Sequence, residues 1–423
     1  YRENNIVMKS GVSLVSVDGP LKAKIYSGTK RAIYFSGTAS TPVENVSVDG
    51  FDIFGDWNQG SAGDGLIRVL NARNIQVRNS MVHDAPHDQD CIKVSGYVDG
   101  FLMENLIIWN PGKRQTGLFQ ENIDIFGNEV SLDGRAPVRN ITLRGSWLFH
   151  APGVGGKALV YAKVYVENII YEDNFFGPVE TPGGEGVPVN AGGYTSGSNN
   201  PNNFTGERLI VRNNVFVGMR GDGALGIGNT NDVWIYNNVF YGNSGPELRS
   251  VVQFEGFHMR PGVVHIFNNI FQNNYPSRKG GLFFRARNNG EPTNLMSDNN
   301  LYYNNISTSS VSYQNETGSI YDQLPQLKNP RIPDVTVLPT SLDILDAIKS
   351  DFAPLNNSPV IDKGVSAADR PNFPSSDWDS IAQRACDSSQ KQRIKPWDMG
   401  ISETISSQVD TMPPGRPGNA MVK

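Results

Sequence analysis

Nine segments of this 423-residue sequence repeat one pattern, in which alternating apolar residues run into a polar corner and then a second apolar pair. Their spacing never falls below 24 residues, and Asn and Gly recur where a helix interior would have to lie. These observations predict an all-β protein: a right-handed parallel β-helix with an irregular C-terminal cap.

In chain order the copies begin with V-S-V-D-G-F-D-I (46 to 53), I-Q-V-R-N-S-M-V (75 to 82), F-L-M-E-N-L-I-I (101 to 108), I-T-L-R-G-S-W-L (141 to 148) and I-I-Y-E-D-N-F-F (169 to 176). The clearest follow: L-I-V-R-N-N-V-F (209 to 216), V-W-I-Y-N-N-V-F (233 to 240), V-H-I-F-N-N-I-F (264 to 271) and L-M-S-D-N-N-L-Y (295 to 302). Each describes two short strands meeting at a turn. Aligned on the residue before the second apolar pair, from Gly50 to Asn300, the steps are 30, 25, 41, 28, 40, 24, 31 and 31 residues, with Asn105 displaced by one. A floor near 24 with residues added to some turns is how a solenoid accommodates insertions. Inward Ile, Val, Leu and Phe are expected to stack turn upon turn, with the strand aromatics among them. The corner Asn residues are expected to form a ladder that satisfies turn backbone groups.

The ladder fades after about Asn305, so residues 1 to 312 are assigned to the β-helix. Residues 313 to 405 contain S-P-V-I-D-K-G (358 to 364) and K-P-W-D-M-G-I-S-E (395 to 403), similar to the closing segment of secreted bacterial β-helix proteins. They are expected to cap the open C-terminal end of the stack, whose unpaired edge would otherwise template aggregation. Residues 406 to 423, with D-T-M-P-P-G-R-P-G-N (410 to 419), resemble a Pro-rich linker ahead of a further C-terminal module.

A formal net charge of -5 without a long Lys/Arg run leaves no electrostatic case for a nucleic-acid partner. No stretch approaches the ~18 consecutive apolar residues of a membrane span. Cys91 and Cys386 exclude a disulfide framework and, far apart in sequence, are expected to be unpaired. The chain opens at Tyr1 without an initiator Met, which suggests a processed protein, and a secreted monomer is expected.

Between His83 and Lys157 charge enters the pattern. Placing Asp64, Asp90 and Asp124 at equivalent strand starts predicts a column of three carboxylates, with Lys157 at or next to it. Like charges at the ~4.8 Å spacing of stacked strands repel unless a cation lies among them, and oxygen-rich clusters suit Ca2+. A bland reading competes, in which the aspartates bond turn amides and Lys157 neutralises them. A zinc reading of His83 and His87 is weaker, because an H-x-x-x-H pair is informative mainly on a helix and Pro86 lies between them.

E-N-I-D-I-F (121 to 126), followed one turn later by G-V-G-G-K-A (153 to 158), resembles the D-G-F-D-L-W and G-N-G-F-K-L segments of family 9 polysaccharide lyases, the β-helical pectate lyases. Glu121 stands where that family has Asp. The resemblance implies that Glu121 and Asp124 bind calcium, that Asp88 or Asp90 completes the set, and that Lys157 is the Brønsted base of a calcium-assisted β-elimination on an acidic polysaccharide. D-Q-D-C-I-K-V-S-G (88 to 96) is similar to a segment of β-helical polygalacturonases, although G-V-G-G stands where those hydrolases carry G-H-G. Hydrolysis, a metal-free uronate lyase and a non-enzymatic adhesin or stalk are the alternatives. The two longest steps are expected to wall a groove, since insertions map to one face of such repeats. They supply Arg114, Arg135 and Tyr194, which with Lys93 and Arg220 are candidate substrate-binding residues.

Overall fold

The computed structural model describes residues 5–57, 64–113, 120–127, 138–154, 158–164, 166–179, 187–193, 206–228, 230–245, 248–255, 261–276, 282–287, 291–305 and 316–365, with a few single positions such as 2, 59, 370, 399 and 400. The described strands wind as successive three-strand turns, each pairing in parallel with the turn before and the turn after. The protein is a parallel β-helix, as the repeat predicts. The first and second faces form one 18-stranded sheet, because Asp64–Arg78 and Gln89–Glu104 run through both; the third face is a separate 11-stranded sheet. Strand Ile320–Tyr321 adds a last rung to the third face beyond Leu301–Tyr303.

The repeated segments are the second-face strand, its corner and the third-face strand. The first corner residue takes a left-handed backbone in turn after turn, at Gly50, Asn79, Asn105, Gly145, Asp173, Asn213, Asn237, Asn268 and Asn299. Gly, Asn and Asp tolerate that conformation best, which explains the composition of the corner. Asn105 is therefore in register; Leu106 holds the second corner position of its turn. That second position carries the ladder: Asn174, Asn214, Asn238 and Asn269 each pass an amide N–H to the Oδ1 of the next, ending on Asn300, at 3.0 Å. Each also bonds backbone groups of adjoining turns, so the buried corner is satisfied from within.

Side chains on the third face alternate in and out with the strand period. Phe176, Phe216, Phe240, Phe271, Tyr302 and Tyr321 stack inside with ring centroids 4.5 to 5.5 Å apart. Trp147, Phe175, Val215, Val239, Ile270 and Leu301 point outward and are nevertheless buried. Leu327, Val335, Phe352, Val360 and the short helix Ile344–Ser350 cover them, with Phe352 edge-on to Phe175 (5.6 Å) and Tyr241 (5.5 Å). Farther along, Val365 exchanges hydrogen bonds with Asn268, and Arg370 pairs with Asp298 over the Phe267 ring. The described part of the C-terminal segment, residues 316–365, thus lies along the flank of the third face. An apolar outer face along the stack is hidden from water only by a cover along its length. Among the described residues no helix is long and apolar enough to cross a membrane.

On the second face the outer row alternates in charge. Asp49, Arg78, Glu104, Arg144, Glu172 and Arg212 occupy one register position in successive turns. Neighbours pair along it: Arg78 with Asp49 at 2.8 Å, Arg144 with Glu104 at 2.8 Å and Arg212 with Glu172 at 2.6 Å. Opposite charges directly across a sheet are favourable, like charges unfavourable.

Candidate active site

The first face has an outer row of a different kind. Partnered residues run Tyr34, Arg68, Lys93, Asp124, Tyr161, Asn190, Gly226, Gln253 and Arg285. Ile67, Ile92, Ile123 and Val160 on one side, and Val69, Val94, Ile125 and Ala162 on the other, enter the interior and fix the row outward. Arg68 and Lys93 are like charges on adjacent rungs, the opposite of the second-face arrangement.

The predicted column of Asp64, Asp90 and Asp124 does not form. Asp124 lies between inward Ile123 and Ile125 and pairs with Lys93, whereas Asp90 lies two residues before inward Ile92 and is level with Glu121. Asp64 pairs with Gln89 and is held by Arg68 (2.7 Å) and Arg31 (3.1 Å). Aligning aspartates by their distance to an apolar run misjudged strand phase, and Glu121 takes the place given to Asp64.

Asp90, Glu121 and Asp124 do converge, offering oxygens within 4.8 Å of one another. The Glu121 backbone N–H donates to Asp90 Oδ1 at 3.0 Å, locking the two turns together. Lys93 Nζ bridges Asp90 Oδ2 (3.0 Å) and Asp124 Oδ2 (2.9 Å). Lys163 Nζ lies 2.9 Å from Asp124 Oδ1, 3.3 Å from Glu121 Oε1 and 4.7 Å from the Tyr161 ring centroid. Two ammoniums face three carboxyl groups. Burial pushes the Asp90 carboxyl well above the ordinary range, Glu121 and Asp124 adding to the effect against Lys93. Burial alone would lower both lysines, but the surrounding carboxylates reverse this and raise them.

Lys163 was not anticipated from the sequence. In A-L-V-Y-A-K (158 to 163), Tyr161 and Lys163 share the outward phase of the strand, and that phase shows only once Tyr161 is paired with Asp124. Asp88 occupies a turn with φ +60, its N–H bonded to Lys113 O and its carbonyl accepting from the Gln120 amide; it is not in the converging group. Arg220 is exposed and lines a cavity of about 200 Å³ with His150, Ser244 and Thr336, beside the C-terminal segment. Lys157, Arg114, Arg135 and Tyr194 lie outside the described residues, as does Cys386; Cys91 is a free, buried thiol that donates to the Trp109 carbonyl at 3.3 Å. His83 uses both ring nitrogens on carboxylates, 2.9 Å from Asp52 and 2.7 Å from Asp84, which leaves neither for zinc.

The donor set of the cluster is entirely oxygen, the choice of a hard divalent cation. Asp124 Oδ1 has no hydrogen bond of good geometry beyond the nearby Lys163 ammonium. The carboxylates therefore fit a divalent cation that takes the place of the ammoniums.

A stack of parallel turns with one chemically distinct outer row defines the class as a parallel β-helix. Solved structures of similar fold include the surface adhesin PfbA of Streptococcus pneumoniae (11% identity, TM-score 0.44, 71% of this chain and 79% of that chain). They also include an alginate lyase from Paenibacillus sp. FPU-7 (14%, TM-score 0.43, 74% of this chain and 92% of that one) and the pectate lyase Pel9A (12%, TM-score 0.34, 94% and 87%). No family model matches the chain, and no curated protein matches it in sequence. The assignment as a parallel β-helix rests on the strand pairing itself.

Proposed function

We propose that the protein is a secreted polysaccharide lyase that cleaves a uronic-acid-containing polysaccharide by β-elimination on the outer side of the first face. The supporting observation is the convergence of Asp90, Glu121 and Asp124 with Lys93 and Lys163 in the middle of an outward polar row. In a uronate the C5 proton lies α to a carboxylate and is removed only if the charge developing on that carboxylate is stabilised. Lys93 and Lys163 present ammonium groups to such an anion. Asp90, Glu121 and Asp124 would hold Ca2+ if the two ammoniums swung off them toward the substrate, and the ion would then supply Lewis acidity toward the same carboxylate. Lys157 immediately precedes Ala158, the partner of Glu121, which supports it as the base. Its neutral amine takes the C5 proton, the electron pair forms the C4–C5 double bond, and the C4–O bond breaks with protonation of the departing oxygen.

Two ammoniums already seated on the carboxylates favour a second reading, a metal-free lyase in which Lys93 and Lys163 provide all the positive charge. Incubation with a panel of polyuronates, followed by ultraviolet absorbance of the unsaturated product, separates the readings. Absorbance abolished by a chelator supports the calcium lyase; absorbance that survives it supports the metal-free one. New reducing ends without absorbance indicate a hydrolase, and no product at all points to a binding solenoid.

A further inference from the structure

We propose that Arg31 and Tyr34, backed by Arg68, form a subsite for the carboxylate of an acidic sugar on the N-terminal side of the charged cluster. The inference deepens the lyase reading, and it needs only that the ligand is an acidic polysaccharide. Tyr34, Arg68 and Lys93 are consecutive rungs of one outward row. Rungs advance by ~4.8 Å, close to the advance of one pyranose unit in an extended polymer, so a chain lying on the row meets about one rung per sugar. The Arg31 guanidinium lies 4.3 Å from the centroid of the Tyr34 ring, a pre-formed flat platform carrying a positive charge. Among the described residues, Asp64 forms ion pairs with both Arg31 (3.1 Å) and Arg68 (2.7 Å), one carboxylate for two guanidiniums. Arg68 is nearly buried and committed to Asp64 and to Ser95 Oγ (2.6 Å), whereas Arg31 keeps 29% of its side chain exposed. Arg31 is thus the group placed to reach a ligand, and Arg68 the one that holds Asp64 in position. On the second face each cation has an anion on the next rung. Here Arg68 and Lys93 are like charges on adjacent rungs, Arg68 paired with Asp64 and Lys93 with Asp90 and Asp124, and a polyanion lying on the row adds to that compensation.

The test is retention of the full chain in native gels containing polygalacturonate, alginate or neutral dextran, together with cleavage of oligouronates of increasing length. Arg31→Gln is expected to weaken retention by polyuronate about tenfold, the size of one charge-assisted hydrogen bond, without changing migration in dextran. It is expected to lower kcat/KM only for oligomers long enough to reach the subsite, leaving the shortest cleaved substrate unaffected. Tyr34→Leu should act in the same direction, and Arg31→Lys, which keeps the charge beside Asp64, should recover part of the loss. Wild-type retention without cleavage would defeat the lyase reading and leave the subsite standing. Equal retention of wild type and Arg31→Gln, an equal loss at every oligomer length, or no retention of the wild type by any polyuronate would overturn the subsite.

Discussion

Asp124 accepts charge from Lys93 and Lys163 at once, while only 4% of its side chain is exposed. Asp124→Asn is expected to destabilise by about 2 to 3 kcal/mol in urea unfolding, below the cost of breaking a fully buried pair because Lys93 remains a quarter exposed. Lys157→Ala is expected to abolish turnover while substrate affinity is retained, since a base acts mainly in the transition state. Lys157→Arg should fail almost as badly, because guanidinium stays protonated; near-normal turnover in that variant would show that Lys157 is not the base. His83 offers a pH signature. Burial works against its protonation, but hydrogen bonds to Asp52 and Asp84 outweigh it and raise the imidazole above its ordinary value. The cation is sandwiched between Phe54 (5.3 Å) and Trp109 (4.1 Å), Lys24 pairs with Asp52 (3.0 Å), and Asn110 donates to Asp84 (2.7 Å). A raised folded pKa gives stability that is fully present below about pH 6.5 and is lost as pH rises through the folded value. Thermal melts of wild type and His83→Gln should therefore differ most in that acid range and converge toward alkaline pH. The sequence marked Asp90 and Asp124 because charged residues interrupt an apolar pattern, and Glu121 through the resemblance of E-N-I-D-I-F to a lyase segment. It did not reveal which shared a rung, since that depends on phase within each strand.

Among the elements, the Asn ladder was the most legible, since doubled Asn at a recurrent corner has few other uses. Its second feature, a left-handed residue followed by a buried amide, explains why Gly, Asp and Ser substitute at particular positions and not at others. Asn238 donates to Val211 O, Tyr236 O and Asn269 Oδ1, and accepts from both the backbone and the side chain of Asn214. Asn238→Ala strands buried donors of Asn214 at ~1–3 kcal/mol each. A loss of about 2 to 4 kcal/mol in denaturant unfolding is expected, well above an exposed Asn→Ala change. The ladder ends on Glu316, which accepts from Asn300, Ser319 and the Tyr302 hydroxyl and so supplies the acceptor that a further turn would have given.

For the whole molecule, the solenoid was readable from step lengths, and the flank that residues 316–365 cover was not. Inward and outward apolar residues look identical in a strand, so the second apolar layer on the third face showed itself only as extra hydrophobicity. The second-face charge row, by contrast, has parity. Repeat proteins lengthen and shorten by whole units, yet here the sign of the charge alternates from one unit to the next. Removing the turn that carries Glu104 would bring Arg78 against Arg144; removing the turns of Glu104 and Arg144 together would bring Arg78 against Glu172. The single deletion is therefore expected to melt lower than the double one, although the double deletion discards more core. On this row a change of length by two turns keeps opposite charges facing each other and a change by one turn does not, a grammar written by electrostatics rather than by the hydrophobic repeat.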